Sequence, residues 1–87
     1  MTIIRHYLFL KHYKKRILPF PNLDKKFEKR LKLFIHSPNN PSLHNHKLVG
    51  SLEGLRSFSI TGDIRIVYRT FGNIIELYDI GSHNQIY

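Results

Sequence analysis

Three segments in the second half of the chain alternate apolar and polar residues with a period of two, and short turn signals separate them. "LRSFSI" sets Phe58 and Ile60 on one face and Ser57 and Ser59 on the other. "IRIVYRT" sets Ile64, Ile66 and Tyr68 against Arg65, Val67 and Arg69, and "IIELYDI" follows. Successive strand residues point to opposite faces, so such a pattern fits half-buried strands and no helix. "TGD" and "FGN" are too short for a crossover, so the pattern predicts an antiparallel meander of three strands. One face of it has to be covered, while the other, carrying Asp63 and Arg65, is expected to face outward.

The first half supplies the cover. In "LFLKHYKKRI", Phe9, Tyr13 and Ile17 recur at helical spacing with Lys11, Lys14 and Lys15 around them. "PFPN", Pro19 to Asn22, breaks that helix. A second one places Leu23, Phe27, Leu31 and Phe34/Ile35 on one face, carries Asp24 in its first turn and stops before Pro38. From Ser37 to Gly54 no period holds, and this stretch, dense in Pro, Asn, Gly and His, reads as one long loop of the kind that often carries function. The expectation is a single α+β domain over residues 1–87, a helical hairpin packed on a twisted, mainly antiparallel sheet. A chain of 87 residues supports one modest core.

There are no cysteines, so disulfides, thiolate metal sites and cysteine nucleophiles are excluded. Arg5, His6, Lys11 and His12 interrupt the apolar start, which is read as neither a signal peptide nor a membrane span, and a soluble cytoplasmic protein is expected. The net charge of +8 favours a polyanionic partner. All of it lies in residues 1–36, where ten Lys and Arg face two acids; residues 37–87 hold four of each sign.

Asp63 and Arg65, two apart on one strand, are by themselves an ordinary surface pair. His46, in the loop before the meander, and His83, after its last strand, give them another meaning if antiparallel order brings all four together. Two imidazoles, a carboxylate and a guanidinium supply what metal-free RNA cleavage needs. A base takes the 2′-hydroxyl proton, an acid protonates the leaving 5′-oxygen, and a cation meets the phosphorane charge. Imidazole titrates near neutral pH and suits both transfers. A metal reading of His44, His46, His83 and Asp63 ranks well below this, because the His-x-His lies in a loop with no carboxylate cluster around it. No cofactor is called for.

Taken in order, "HKLVGSLEGLRSFSITGDIRIVY" and "IELYDIGSHNQIY" resemble the RelE/ParE superfamily of bacterial toxin components, most of all its RelE and YafQ-like messenger-RNA endonucleases. The resemblance spans nearly the whole chain. It implies the toxin of a type II toxin–antitoxin system, which cuts messenger RNA in the ribosomal A site to a 2′,3′-cyclic phosphate. It further implies neutralisation by a cognate antitoxin, through which the complex binds operator DNA. Carried over by position, His83 resembles the general acid, Arg65 the transition-state cation, and His46 and Asp63 the remaining proton-handling groups. Tyr87 falls where an aromatic stacks near the RNA bases. Lys47 and Arg56 would contact the message, and Lys14, Lys15, Arg16, Lys29 and Arg30 would dock on ribosomal RNA. Either His46 or Asp63 serves as general base, since the two titrations would be coupled. The pattern departs at Ser59, where YafQ-like enzymes have a histidine, and at Asp79, where they have an arginine. A gyrase-poisoning ParE-like toxin, or a weakened member that only binds RNA or antitoxin, is the alternative. Gly81 is expected as a flexible corner turning His83 back towards Asp63 and Arg65.

Overall fold

The computed structural model describes residues 2–87. Strand β1 (Thr2–Arg5) leads into helices α1 (Tyr7–Arg16) and α2 (Pro21–His36). After them come β2 (His46–Lys47), β3 (Arg56–Ser59), β4 (Ile64–Phe71), β5 (Ile74–Ser82) and the short helix α3 (His83–Ile86). The five strands form one sheet in the order β1-β5-β4-β3-β2, parallel between β1 and β5 and antiparallel elsewhere. No helix among the described residues is long and apolar enough to cross a membrane.

The hairpin and the three-strand meander follow the sequence pattern closely. His6 caps α1 by accepting the Leu8 amide on Nδ1 at 3.0 Å, and Pro21 opens α2, where its missing N–H costs nothing. Phe9, Tyr13 and Phe27 lock the helices together, with ring centroids 4.9–6.0 Å apart. Phe34 stacks on Phe58 at 4.3 Å, and Tyr68 meets both edge-on, joining α2 to β3 and β4. Each such pair adds about 0.5–1.5 kcal/mol beyond the area it buries. The Tyr13 hydroxyl donates to the Asp24 carboxylate across the hairpin. Burial first, then that hydrogen bond and the Asp24 charge, push the phenol well above its ordinary range.

Three features correct the sequence reading. The apolar start is a fifth strand, β1, paired with β5 in the register Ile3↔Ile75 and Arg5↔Leu77. Within the expected loop, His46 and Lys47 form an edge strand on β3, and Pro41–Leu43 and Gly50–Leu52 make single 3₁₀ turns. The face carrying Arg65 is also not wholly open, since Ser57 and Val67 on it are fully buried. The pairing jumps from Val67↔Asp79 to Tyr68↔Leu77, leaving Tyr78 as a bulge that breaks strict alternation. Beyond it α3 folds back over Gly81.

Asp79 is buried at the β5 edge, past the point where β1 ends. His12 Nδ1 lies 2.6 Å from its Oδ1 and Arg16 lies 3.8 Å away; Arg16 also donates to the Ile80 carbonyl at 2.9 Å. So α1 takes over from β1 in satisfying that edge, and Asp79 serves as its anchor.

Candidate active site

Cross-strand registry builds the site on the sheet face opposite the aromatic core. His46 pairs with Ser57, Ser57 with Val67, and Ser59 with Arg65, which in turn pairs with Gly81. Residues directly opposite one another share a face, so His46 and Arg65 stand on the same side, from strands that never touch. Gly81 is a buried residue inside β5 and not a corner. A Cβ there would lie 2.6 Å from the Arg16 guanidinium and 2.9 Å from Gln85 Oε1, so any side chain would displace both groups. The turn comes at Ser82, whose hydroxyl accepts the Gln85 amide while the Gln85 side chain accepts the Ser82 amide at 2.8 Å. This reciprocal cap starts α3 with His83 as its first residue.

His46, Lys47, Leu48, Val49, Arg65, His83 and Tyr87 therefore line one open cleft of about 310 Å³. The rings of His83 and Tyr87 sit 4.6 Å apart on α3. His46 Nδ1 lies 2.7 Å from the His44 carbonyl oxygen, which can only accept, so Nδ1 is the protonated nitrogen and Nε2 of the neutral ring keeps its lone pair. His44 adopts a left-handed conformation, φ 51°, to offer that carbonyl. Arg65 has a buried Nε with no partner. The ion pairs among the described residues are His12–Asp79, Arg16–Asp79 and Arg69–Glu76, so its charge is uncompensated. A cation held without a counterion beside two imidazoles is ready for an anion that develops between them.

Other sequence candidates lie elsewhere. Asp63 is exposed on the β3–β4 turn, where its amide donates to Thr61 Oγ1, and it does not line the cleft. The Arg56 side chain donates to Asn45 Oδ1 at 3.1 Å and lies 3.3 Å from the Tyr68 hydroxyl, tying the loop to β4. Arg16 is committed to Ile80 and Asp79, and Arg30 to the Ser59 carbonyl and to both oxygens of Ser42. Lys14, Lys15 and Lys29 project freely from the helices. The role of the His44 carbonyl was invisible in the sequence, since it depends on a backbone angle. No group of three or more histidine, aspartate or glutamate side chains suited to a metal gathers among the described residues.

The family model described as the bacterial toxin of a type II toxin–antitoxin system, YafQ, matches residues 1–87. The chain belongs to the YafQ toxin family. Its fold matches solved toxin structures of the RelE superfamily. YafQ from E. coli strain BL21(DE3) superposes with a TM-score of 0.79 at 19% identity, over 98% of this chain and 96% of that one. A metal-bound toxin from Helicobacter pylori reaches 0.80 at 27% identity over 100% and 99%. A YoeB/ParE toxin from Agrobacterium tumefaciens reaches 0.78 at 20% over 95% and 99%. The E. coli DinJ-YafQ complex also matches, at 0.79 and 18% identity, over 98% of this chain and 96% of that one. No curated protein matches in a sequence comparison.

Proposed function

We infer that this YafQ-family toxin is a ribosome-dependent endoribonuclease that cleaves messenger RNA by metal-free acid–base chemistry and is held inactive by a cognate antitoxin. The observation that supports this reading best is the cleft itself, in which β2, β4 and α3 contribute His46, Arg65 and His83 to one surface. His46 Nε2 takes the 2′-hydroxyl proton as O2′ bonds to phosphorus, and His83 protonates O5′ as the P–O5′ bond breaks. The products are a 2′,3′-cyclic phosphate and a 5′-hydroxyl. Arg65 meets the charge on the phosphorane oxygens, Lys47 holds a neighbouring phosphate and Tyr87 stacks on a base. Its tautomer and its place in the cleft favour His46 over Asp63 as base.

Lys14, Lys15 and Lys29 form the docking surface for ribosomal RNA, separate from the chemistry. The DinJ-YafQ complex of E. coli supports an antitoxin partner of the same kind here. The test is cleavage of a defined message on translating ribosomes by the wild type beside His83→Gln. Cleavage by the wild type, with a fall of about 10²-fold or more in the variant, is the expected result. An intact message with the wild type would refute the enzyme reading, and equal cleavage by both would remove His83 from its role.

A further inference from the structure

Arg65 belongs to two clefts. On its other side, around the end of the sheet, Lys26 and Arg30 of α2, Ser42, His44, Ser59 and Arg65 line a second hollow of about 460 Å³, bounded by the Thr61–Gly62 turn. That volume lies in the range of small-molecule clefts, roughly 300–1,000 Å³. Arg30 is fixed there by three contacts, to the Ser59 carbonyl at 3.2 Å and to Ser42 Oγ and the Ser42 carbonyl at 3.3 and 2.5 Å. These acceptors orient a guanidinium without neutralising it. Neither Arg30, Lys26 nor Arg65 is in an ion pair among the described residues. Three like charges and an imidazole share one hollow with no acid to offset them, and the buried Nε of Arg65 is left without an acceptor.

We propose that this second cleft binds the phosphodiester adjacent to the scissile one, so that the message passes over Arg65 from the cleft of His46 and His83 towards α2. This rests on the RNA-cleaving reading above. Bonds within the fold hold Arg30 in place, so little of its side-chain entropy remains to be lost on binding. Lys26 adds a mobile charge at the rim and His44 a further donor. Fixing two successive phosphates sets the register of the strand, and with it which bond reaches His83.

The test uses ribosomes programmed with messages in which one linkage at a time is a neutral methylphosphonate, at either side of the cut. The readout is the toxin concentration that gives half-maximal cleavage. Neutralising one of the two flanking linkages should weaken the wild type roughly tenfold, the worth of one charge-assisted contact. Lys26→Gln should weaken cleavage of the natural message by a similar factor and be nearly insensitive to that same neutralisation. His44→Asn, which keeps the left-handed backbone, should share part of this behaviour. Lys29→Gln, from the same helix but outside the cleft, should add independently at every linkage. If the Lys26→Gln loss is additive with neutralisation at both linkages, the second phosphate site is overturned while the enzyme reading stands. The same follows if Lys26→Gln cleaves normally but loses antitoxin, because the hollow would then belong to a protein partner. Failure of the wild type to cut the natural message would overturn both.

Discussion

Gly81→Ala separates the scaffold from the site more sharply than any change to an imidazole. The new methyl would stand 2.6 Å from the Arg16 guanidinium and 2.9 Å from Gln85 Oε1. Both are ends of flexible side chains and can swing away, but each would leave a hydrogen bond behind. Arg16 would release the Ile80 carbonyl, a contact joining α1 to β5, and Gln85 would release the Ser82 amide that starts α3. Each bond contributes about 1 kcal/mol. The first loss is global and should lower the melting temperature by about 4–8 °C. The second falls on a single turn of helix, where about 1 kcal/mol makes the seated state of His83 and Tyr87 roughly fivefold scarcer. Displacement of His83 in the turns that remain formed deepens the loss, so cleavage on ribosomes should drop between fivefold and 10²-fold. Ser82→Ala removes the hydroxyl half of the reciprocal cap without touching Arg16, and should lower cleavage about fivefold with little change in melting temperature. Full cleavage by Gly81→Ala in a protein that melts early would show that the capped turn does not place His83.

Further outcomes follow from the remaining contacts. Tyr13→Phe should cost about 1 kcal/mol at neutral pH, measured by urea denaturation, because Asp24 loses its donor. The raised phenol stabilises the fold fully below the unfolded tyrosine value of about 10, and that contribution is lost as pH rises beyond it. The variant should therefore show a flatter alkaline limb than the wild type, and equal limbs would contradict the coupling. Lys14→Ala, Lys15→Ala and Lys29→Ala should each weaken ribosome binding and reduce the salt slope by roughly 0.7–0.9 per phosphate contact, while the single-turnover rate at saturation holds. Asp79→Asn should cost about 1 kcal/mol in denaturation experiments by weakening its hold on His12 and Arg16, with cleavage per folded molecule unchanged.

The hairpin and the meander were legible because hydrophobic period reports burial directly. Leu23, Phe27 and Phe34 recur on one face of α2, while Phe58, Ile60, Ile66 and Tyr68 alternate along β3 and β4. β1 offered no such signal. Its four residues are mostly exposed, and its pairing with β5 joins segments separated by nearly the whole chain. β2 is two residues long and carries no period at all. The bulge at Tyr78 was hidden for a related reason, since it depends on where β4 and β5 register and not on either strand alone. In the site, residue types pointed to His46, Arg65 and His83, and sheet order brought them to one cleft. Asp63 looked equivalent to them because it shares a strand face with Arg65, yet its position on the turn carries it outside.

The two departures from the YafQ-like pattern have different physical consequences. A carboxylate at Asp79, in place of an arginine, would oppose RNA if it faced the cleft. Instead it is buried at the β5 edge, accepts the Ile80 amide, and is compensated by His12 and Arg16 from α1. Its charge is spent on seating α1, and the cleft beside His83 gains no acid. Ser59 removes an imidazole from the sheet, but its ladder partner is Arg65, which holds a permanent charge at that row. A histidine at this position would present a charge only when protonated, whereas a guanidinium does not depend on gaining a proton near neutral pH. On the proposed mechanism, charge stabilisation then falls to the guanidinium alone, and proton transfer to His46 and His83. Restoring the imidazole with Ser59→His should add little to cleavage, while Arg65→Lys, which keeps the charge but loses the planar fork, should lower it by at least tenfold. A large gain from Ser59→His would show that the missing imidazole had limited proton transfer, and would return this chain to the position of a weakened member of its family.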